Sequence, residues 1–301
     1  MSLVSLVKIQ ENTTNSLRQA VVKSLDLIDY SFPKGTARVV IKPNMCYYWD
    51  YTTGQTTDPR LIGTLIDLIR EEISPTTRIS IVESDASAMK CKHAFRILGY
   101  EKLARDSNVK LINLSDDPSE SIRVSSGTQS FWIKVPRTIR EADLKINVPK
   151  IKYTGRKGIE FTCALKNIFG CNPYSKKSKY HSRLGEAIVA INKAMKFDLC
   201  IIDGNIVSGI QPRRLGLAMA SQDSVAIDVA AAEIAGINPR TLRYIQLASK
   251  EGLGSNHFVP KGAPIAYFKK AYPRKNVRRK LIDKAFNLIM LMGLAQRFGV
   301  E

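Results

Sequence analysis

The chain has 301 residues, of which 44% are hydrophobic, so it is long enough to bury one large core or two modest ones. Its formal net charge of +19 favours phosphate-bearing or polyanionic partners, although a solvated basic surface would explain the charge equally simply. The five cysteines are irregularly spaced and include no C-x-x-C pair, which excludes a zinc ribbon and a ferredoxin-type cluster motif.

The N-terminal residues 1–10 contain a run, Leu3–Val7, that is typical of a short strand. They lack the basic and apolar regions of an export signal, and no apolar run in the chain is long enough to span a bilayer. We therefore expect a cytoplasmic protein.

The first half of the chain alternates between strand and helix patterns. Asp58 is a good N-cap residue and Pro59 suits a first helical turn, so the chain predicts an amphipathic helix there. Such alternation is typical of a parallel sheet with both faces covered. In chain order, the predicted elements are a strand at Arg38–Ile41, the helix from Asp58, a strand at Arg78–Val82, a helix over Lys92–Ser107 that is re-aimed near Gly99, and a strand at Val109–Leu114.

The second half predicts a hairpin, further strands and helices, and a loop-rich insert. The predicted elements are a hairpin within Asp116–Val135, a helix near Thr138–Ala142, strands at Leu144–Val148 and Leu199–Ile202, and helices over Gly185–Met195, Ser224–Ala235 and Pro239–Lys250. The fold class is therefore α/β, with a mostly parallel central sheet flanked by helices, a loop-rich insert over Pro149–His181 and a basic C-terminal helix. Residues 1–262 form a single α/β domain in this interpretation, followed by the basic segment and amphipathic helix of residues 263–301.

Four predicted strands end in polar residues. The ends are Lys42-Pro43-Asn44, Glu83-Ser84-Asp85, Asn147-Val148-Pro149-Lys150 and Asp203-Gly204. Because ligands of open α/β sheets bind beyond the carboxyl ends of the strands, we expect these ends to share one site; ordinary turn chemistry is the alternative.

A second group of candidates lies in the glycine- and lysine-rich insert. Lys150, Lys152 and Lys166 can hold phosphate or carboxylate through charge-assisted hydrogen bonds. Lys166 and Asn167 stand between apolar segments that should anchor the loop, which favours a role in a site over a solvated loop. The basic residues Lys176, Lys177 and Lys179 follow, and Arg213-Arg214 could join them from a later loop.

Two residue types in the insert carry other chemistry. A thiol among several cations has a lowered pKa, so Cys171 is a candidate nucleophile or cluster ligand, although most free cysteines are small buried hydrophobes. His181 suits acid–base chemistry near neutral pH, although a lone loop histidine is more often without a role. We find no metal-ligand spacing, no Walker A loop, no G-x-G-x-x-G after a strand and no G-x-S-x-G.

Several of these segments together resemble the family called domain of unknown function 362. The resemblance rests on Val40-Ile41-Lys42-Pro43-Asn44, on Asn147-Val148-Pro149-Lys150-Ile151-Lys152 and above all on Ala164-Leu165-Lys166-Asn167-Ile168-Phe169-Gly170-Cys171, and it extends through Ala226-Ile227-Asp228 to Gly252-Leu253-Gly254. It implies no reaction. Because some family members carry a cysteine-rich ferredoxin-type module, it leaves redox chemistry open.

The favoured hypothesis is an enzyme that binds an anionic, phosphate- or carboxylate-bearing small molecule. In it, Lys42, Asn44, Asn147, Lys150, Lys152, Lys166 and Asn167 bind the anion, and Glu83, His181 or Asp203 moves protons. The alternatives are a redox or iron–sulfur protein that uses Cys171, and a nucleic-acid-binding protein, which the charge favours but no known module supports. The cofactor is left open, and no metal is predicted.

The tail differs in composition from the rest of the chain. Seven basic residues and no acidic one lie between Lys269 and Lys280, and apolar residues at helical spacing follow. A basic amphipathic helix binds anionic membrane surfaces or partners, so we expect such contact over about Val277–Phe298; a terminal helix docked on the core is the alternative.

Overall fold

The computed structural model describes residues 1–153, 159–209 and 211–273. The described strands are β1 (Ser2–Lys8), β2 (Arg38–Pro43), β3 (Arg78–Glu83), β4 (Lys110–Asn113), β5 (Ser119–Ser126), β6 (Gln129–Pro136), β7 (Leu144–Val148), β8 (Lys152–Tyr153), β9 (Phe161–Thr162), β10 (Leu199–Val207), β11 (Arg213–Ser221) and β12 (Phe258–Gly262). The described helices are α1 (Thr14–Asp26), α2 (Pro59–Glu72), α3 (Cys91–Ile97), α4 (Tyr100–Asp106), α5 (Arg137–Arg140), α6 (Ala164–Ile168), α7 (Leu184–Ala194), α8 (Ser224–Ile234), α9 (Arg243–Lys250) and α10 (Ile265–Ala271).

An eight-stranded sheet forms the centre of the molecule. Its strand order is β12-β1-β11-β10-β7-β2-β3-β4. All neighbouring pairs are parallel except those that β11 makes with β1 and β10. The described residues thus confirm the predicted fold class, a mostly parallel sheet flanked by helices.

Side chains of alternate strand residues pack into two separate hydrophobic cores. Along β2, Val39 and Ile41 face a core that includes α1, α2, α3 and α4. Val40, between them, faces the core built by α6, α7, α8 and α9. The β5–β6 hairpin covers part of that second core through Ile133 and Val135. Because side chains alternate along a strand, Lys42 shares the second face with Val40.

The local signals of the first half act as the sequence predicts. The Asp58 side chain caps α2 by accepting a hydrogen bond from the Arg60 N–H, and Pro59 occupies the first turn. Gly99, with a φ of 82°, turns the chain between α3 and α4, which is the break predicted there. Glycine adopts this positive φ without steric strain, because it has no Cβ.

Three predictions for the second half need correction. The strand predicted to end at Asp203 continues to Val207, so this carboxylate lies within β10. The helix predicted over Pro239–Lys250 is a 3-10 turn followed by the shorter α9. Strands β11 and β12 were not predicted, and Arg214 belongs to β11, where it donates to Ile9 O and does not join the basic insert.

The predicted C-terminal helix, about 277–298, lies outside the described residues, and the boundary after residue 262 stays a prediction. Within the described part, no helix has the length and apolar character needed to cross a membrane.

Candidate functional site

The strand order reverses direction beside β2. From β2 the chain proceeds through β3 to β4 on one side, whereas β7 and β10 lie on the other. A crevice forms at such a point, beyond the carboxyl ends of the strands, and ligands of open α/β sheets bind there. The carboxyl ends of β2 and β7 carry Lys42, Asn44, Asn147 and Lys150, so four predicted site residues lie at this edge of the sheet, which we refer to as the crevice.

Lys42 and Glu83 form a buried ion pair across β2 and β3. Lys42 Nζ lies 2.7 Å from Glu83 Oε2, and the two side chains are 1% and 5% exposed. Lys42 also donates to Pro43 O, and Glu83 Oε1 accepts the Ser84 N–H. A Cβ on Gly170 would lie 3.3 Å from the charged atoms of this pair, so glycine lets the insert pack closely over it.

Lys150 and Asp203 form a second buried pair, in which each side chain is 1% exposed and Nζ–Oδ2 is 3.0 Å. Lys150 donates also to Ile206 O, and Asp203 Oδ2 accepts the Asp58 N–H at 2.9 Å. The pair therefore ties the chain after β7 to β10 and to the start of α2. Both predicted proton-transfer carboxylates, Glu83 and Asp203, are thus engaged with lysines.

Three asparagines connect α6 to the strand ends. Asn167 Nδ2 donates to Asn147 Oδ1 at 2.7 Å and to Lys42 O at 3.2 Å. Its Oδ1 accepts Asn44 Nδ2 at 2.8 Å, while Asn147 Nδ2 donates to Ala164 O. Asn44 Oδ1 in turn accepts Lys152 Nζ, so each of the three amides uses both its donor and its acceptor. Such a satisfied network fixes the position of α6 and of Lys166 beside it.

Asp228 of α8 holds the first turn of α6. Its carboxylate accepts the Ala164 N–H at 2.5 Å and the Leu165 N–H at 3.2 Å. Burial raises the pKa of this carboxyl group to about 7. Sequence reasoning placed Asp228 among the family motifs and gave it no role in the site; its role is to position α6.

Lys152 and Lys177 reach the crevice from opposite sides of α6. Lys152 Nζ donates to Asn44 Oδ1 and to Gln55 O at 3.0 Å. Lys177 Nζ donates to Ser84 Oγ at 2.6 Å and to Asp85 O. Burial lowers the pKa of both ammonium groups, and neither makes an ion pair with a carboxylate of the described residues.

Lys166 makes the fewest polar contacts of these lysines with the described residues. Its ammonium lies 4.4 Å from the centre of the Phe169 ring, and it makes no hydrogen bond or ion pair with the described part of the chain. Burial, followed by the charges of Lys177 and Lys152, lowers the pKa of Lys166 from 10.5 to about 7. Lys42 is also close enough to contribute, so three of the predicted site lysines, Lys42, Lys152 and Lys166, lie near one another.

Cys46, and not the predicted Cys171, is the cysteine beside Lys152 and Lys166. Cys171 is fully buried, and burial raises the pKa of its thiol to about 12, which disfavours the thiolate that a nucleophile or cluster ligand needs. The half-buried Cys46 is the thiol that contacts Lys152 and lies near Lys166. Among the described residues, no group of three or more His, Cys, Asp or Glu could hold a metal ion.

The outcome differs for two residues of the insert, Lys177 and His181. Lys177 was noted in the basic insert but was not chosen, because the sequence did not show that it would turn back towards Ser84. The side chain of His181 lies outside what the structure describes, so its predicted role stays a prediction.

Comparison with known proteins identifies the family. The family model described as "Domain of unknown function (DUF362)" matches residues 39–233, and the chain belongs to this family. This confirms the resemblance seen in the sequence. Among curated proteins, the chain is similar to "Thylakoid-associated protein sll1697" of Synechocystis sp., with 27% identity over 291 residues that cover 91% of this chain and 85% of the relative.

Solved structures give weaker similarities. The lactate racemase apoprotein from Thermoanaerobacterium thermosaccharolyticum has a TM-score of 0.45 and 13% identity, over 78% of this chain and 57% of that one. A protein from Thermotoga maritima has a TM-score of 0.42 and 13% identity, over 79% and 59%. The chain spans less than two thirds of either structure, and similarity at this level carries no argument about function.

Proposed function

We propose that this chain is an enzyme that binds an anionic small molecule, bearing phosphate or carboxylate, in the crevice at the carboxyl edge of its sheet. One observation carries the proposal. The ammonium groups of Lys152, Lys166 and Lys177 converge there without a carboxylate partner among the described residues, whereas the neighbouring Lys42 and Lys150 are each paired.

The lysines of the crevice are of two kinds, those in an ion pair with a carboxylate and those with no such pair among the described residues. Lys42 and Lys150 have their charges compensated by Glu83 and Asp203 and belong to the framework. Burial lowers the pKa of each of the other three, and the charges of Lys152 and Lys177 also repel that of Lys166. Removing an ammonium group from water without a counter-charge costs free energy, and a bound anion would offset this cost through charge-assisted hydrogen bonds.

Substituting Lys166→Gln is expected to weaken the binding of pyrophosphate or citrate at least about tenfold, because a hydrogen bond to a charged group contributes roughly 1.5–3 kcal/mol. Isothermal titration calorimetry at low ionic strength measures the affinity. The matched control is Lys102→Gln, which removes the same charge from a side chain that is 76% exposed. Equal affinity in wild type and Lys166→Gln would contradict the proposed site.

A second proposal concerns location. We propose that the predicted C-terminal helix, about 277–298, together with the basic residues before it, attaches the protein to anionic membrane surfaces, because the relative from Synechocystis is named a thylakoid-associated protein and the tail combines a basic segment with apolar residues at helical spacing.

Deleting residues 274–301 is expected to abolish flotation with vesicles that contain anionic lipid. The full-length protein should float at low ionic strength and less at high salt, since polybasic attraction is screened. Flotation with neutral vesicles is the control. If the truncated and full-length proteins float to the same extent, the tail is not the membrane contact.

A further inference from the structure

The strongest unexplained feature of the crevice is the amine of Lys166. Each of the other lysines there donates to at least one oxygen: Lys42 to Glu83, Lys150 to Ile206, Lys152 to Asn44 and Gln55, and Lys177 to Ser84 and Asp85. Lys166 instead lies over the ring of Phe169. A lysine with no acceptor among the described residues, held on a helix that hydrogen bonds fix from Asn44, Asn147 and Asp228, is placed for chemistry more than for packing.

The groups that face Lys166 come from four directions. Lys42 comes from β2, Cys46 from the loop after it, Lys152 from β8 and Lys177 from the turn that follows α6. Burial, and after it the charges of the three lysines, lowers the pKa of Lys166, whereas Cys46 acts in the opposite direction. An unprotonated lysine amine is a nucleophile at neutral pH, whereas an ammonium group is not.

We propose that the Lys166 amine attacks the carbonyl carbon of a small aldehyde or ketone that bears a carboxylate or phosphate group, and forms an imine with it. The inference rests on the proposed anion site, since Lys152 and Lys177 would hold the anionic group while Lys166 reaches the carbonyl. In the reaction the C–N bond forms, the C–O bond breaks, and the carbonyl oxygen leaves as water with the two amine hydrogens. No oxidant, reductant or other reactant is needed to form the imine.

Three probes test the inference on the full-length protein. Pyridoxal 5′-phosphate is a phosphate-bearing aldehyde, glyoxylate is a carboxylate-bearing aldehyde, and propanal carries no charge. Each is incubated with the protein at pH 7, the imine is reduced with borohydride, and the modified lysines are quantified by peptide mass spectrometry. The two charged arms separate phosphate from carboxylate as the preferred anionic group.

Lys166 is expected to be labelled at least about tenfold faster than the exposed Lys102 by one of the charged aldehydes, because about half of an amine with a pKa near 7 is unprotonated at pH 7, against well under 1% of an ordinary lysine. Its labelling should reach half its maximal rate near pH 7, and excess pyrophosphate should suppress it. Lys166→Arg should lose the label and keep the charge at this position.

Two results would overturn the inference. Labelling of Lys166 at the rate of Lys102 would show that its amine is not activated, and equally rapid labelling by propanal would show that no anionic group directs the reaction. Pyrophosphate titration of the same preparation separates the two proposals: if pyrophosphate binds and Lys166 is not labelled, the imine chemistry is wrong and the anion site stands. If pyrophosphate does not bind, the site itself fails.

Discussion

Replacing Glu83 by alanine is expected to lower the free energy of unfolding by about 3–5 kcal/mol, because it leaves the ammonium group of Lys42 buried without a counter-charge. Both side chains are at most 5% exposed, so water cannot replace the lost carboxylate without opening the structure. Urea denaturation monitored by circular dichroism measures the change. A cost of this size would be a large part of the stability of an ordinary domain.

The double variant Lys42→Met with Glu83→Leu tests the cause. It removes both charges, so it should be markedly more stable than Glu83→Ala alone, whereas two independent losses would add. Glu120→Ala is the surface control, since the Glu120–Arg140 pair is more than half exposed on both sides and should contribute at most about 1 kcal/mol. If Glu83→Ala costs no more than this control, the pair does not stabilise the fold.

The second large effect concerns Lys166→Met and depends on pH. The pKa of Lys166 is lowered to about 7 in the folded protein from an ordinary value of 10.5. Between these values the unfolded chain binds more protons than the folded chain, so the stability of the wild type falls as the pH is lowered from 10.5 to about 7, and Lys166 changes it little below that. Methionine does not titrate. Lys166→Met should therefore be more stable than wild type at pH 6, by an amount on the order of 2 kcal/mol after allowance for solvent screening, and should lose this advantage near pH 10.

Urea unfolding at pH 6, 8 and 10 measures the difference between the two proteins. Comparing the two proteins at each pH removes the contribution of other titrating groups. The control is Lys102→Met, because the Lys102 side chain is 76% exposed. An advantage that is the same at pH 6 and pH 10 would reflect the apolar methionine alone and would refute a lowered pKa. Residues of a binding site are often not optimal for stability, so replacing one of them can stabilise a protein while it impairs function.

The first half of the fold could be predicted because its signals are local. Asp58, Pro59 and Gly99 each act within one helical turn, and the strands at residues 39–41 and 79–82 are short apolar runs bounded by polar residues. Strands β11 and β12 were missed for a different reason. The sequence of β11, Arg213–Ser221, is rich in small residues and arginine, and its place in the sheet depends on pairing with β1 and β10.

The site could be predicted in part. The rule that strand ends converge identified Lys42, Asn44, Asn147 and Lys150 correctly as neighbours, because it depends only on the parallel direction of β2 and β7. The sequence could not tell which lysines would be paired. Glu83 and Asp203 were assigned to proton transfer, and only the three-dimensional arrangement shows that each lies against a lysine. The burial of Cys171 likewise depends on how α7 and β3 pack against the turn that contains it.

The position of β1 constrains how the chain can fold during its synthesis. This strand lies between β11 and β12, and Ser5 Oγ donates to Ala220 O, a residue 215 positions later. Strand β1 therefore leaves the ribosome long before the strands that pair with its backbone. Until then Val4 and Leu6, which are buried in the finished protein, stay exposed on the nascent chain, so vectorial folding can complete the β2–β3–β4 side long before it closes the opposite edge.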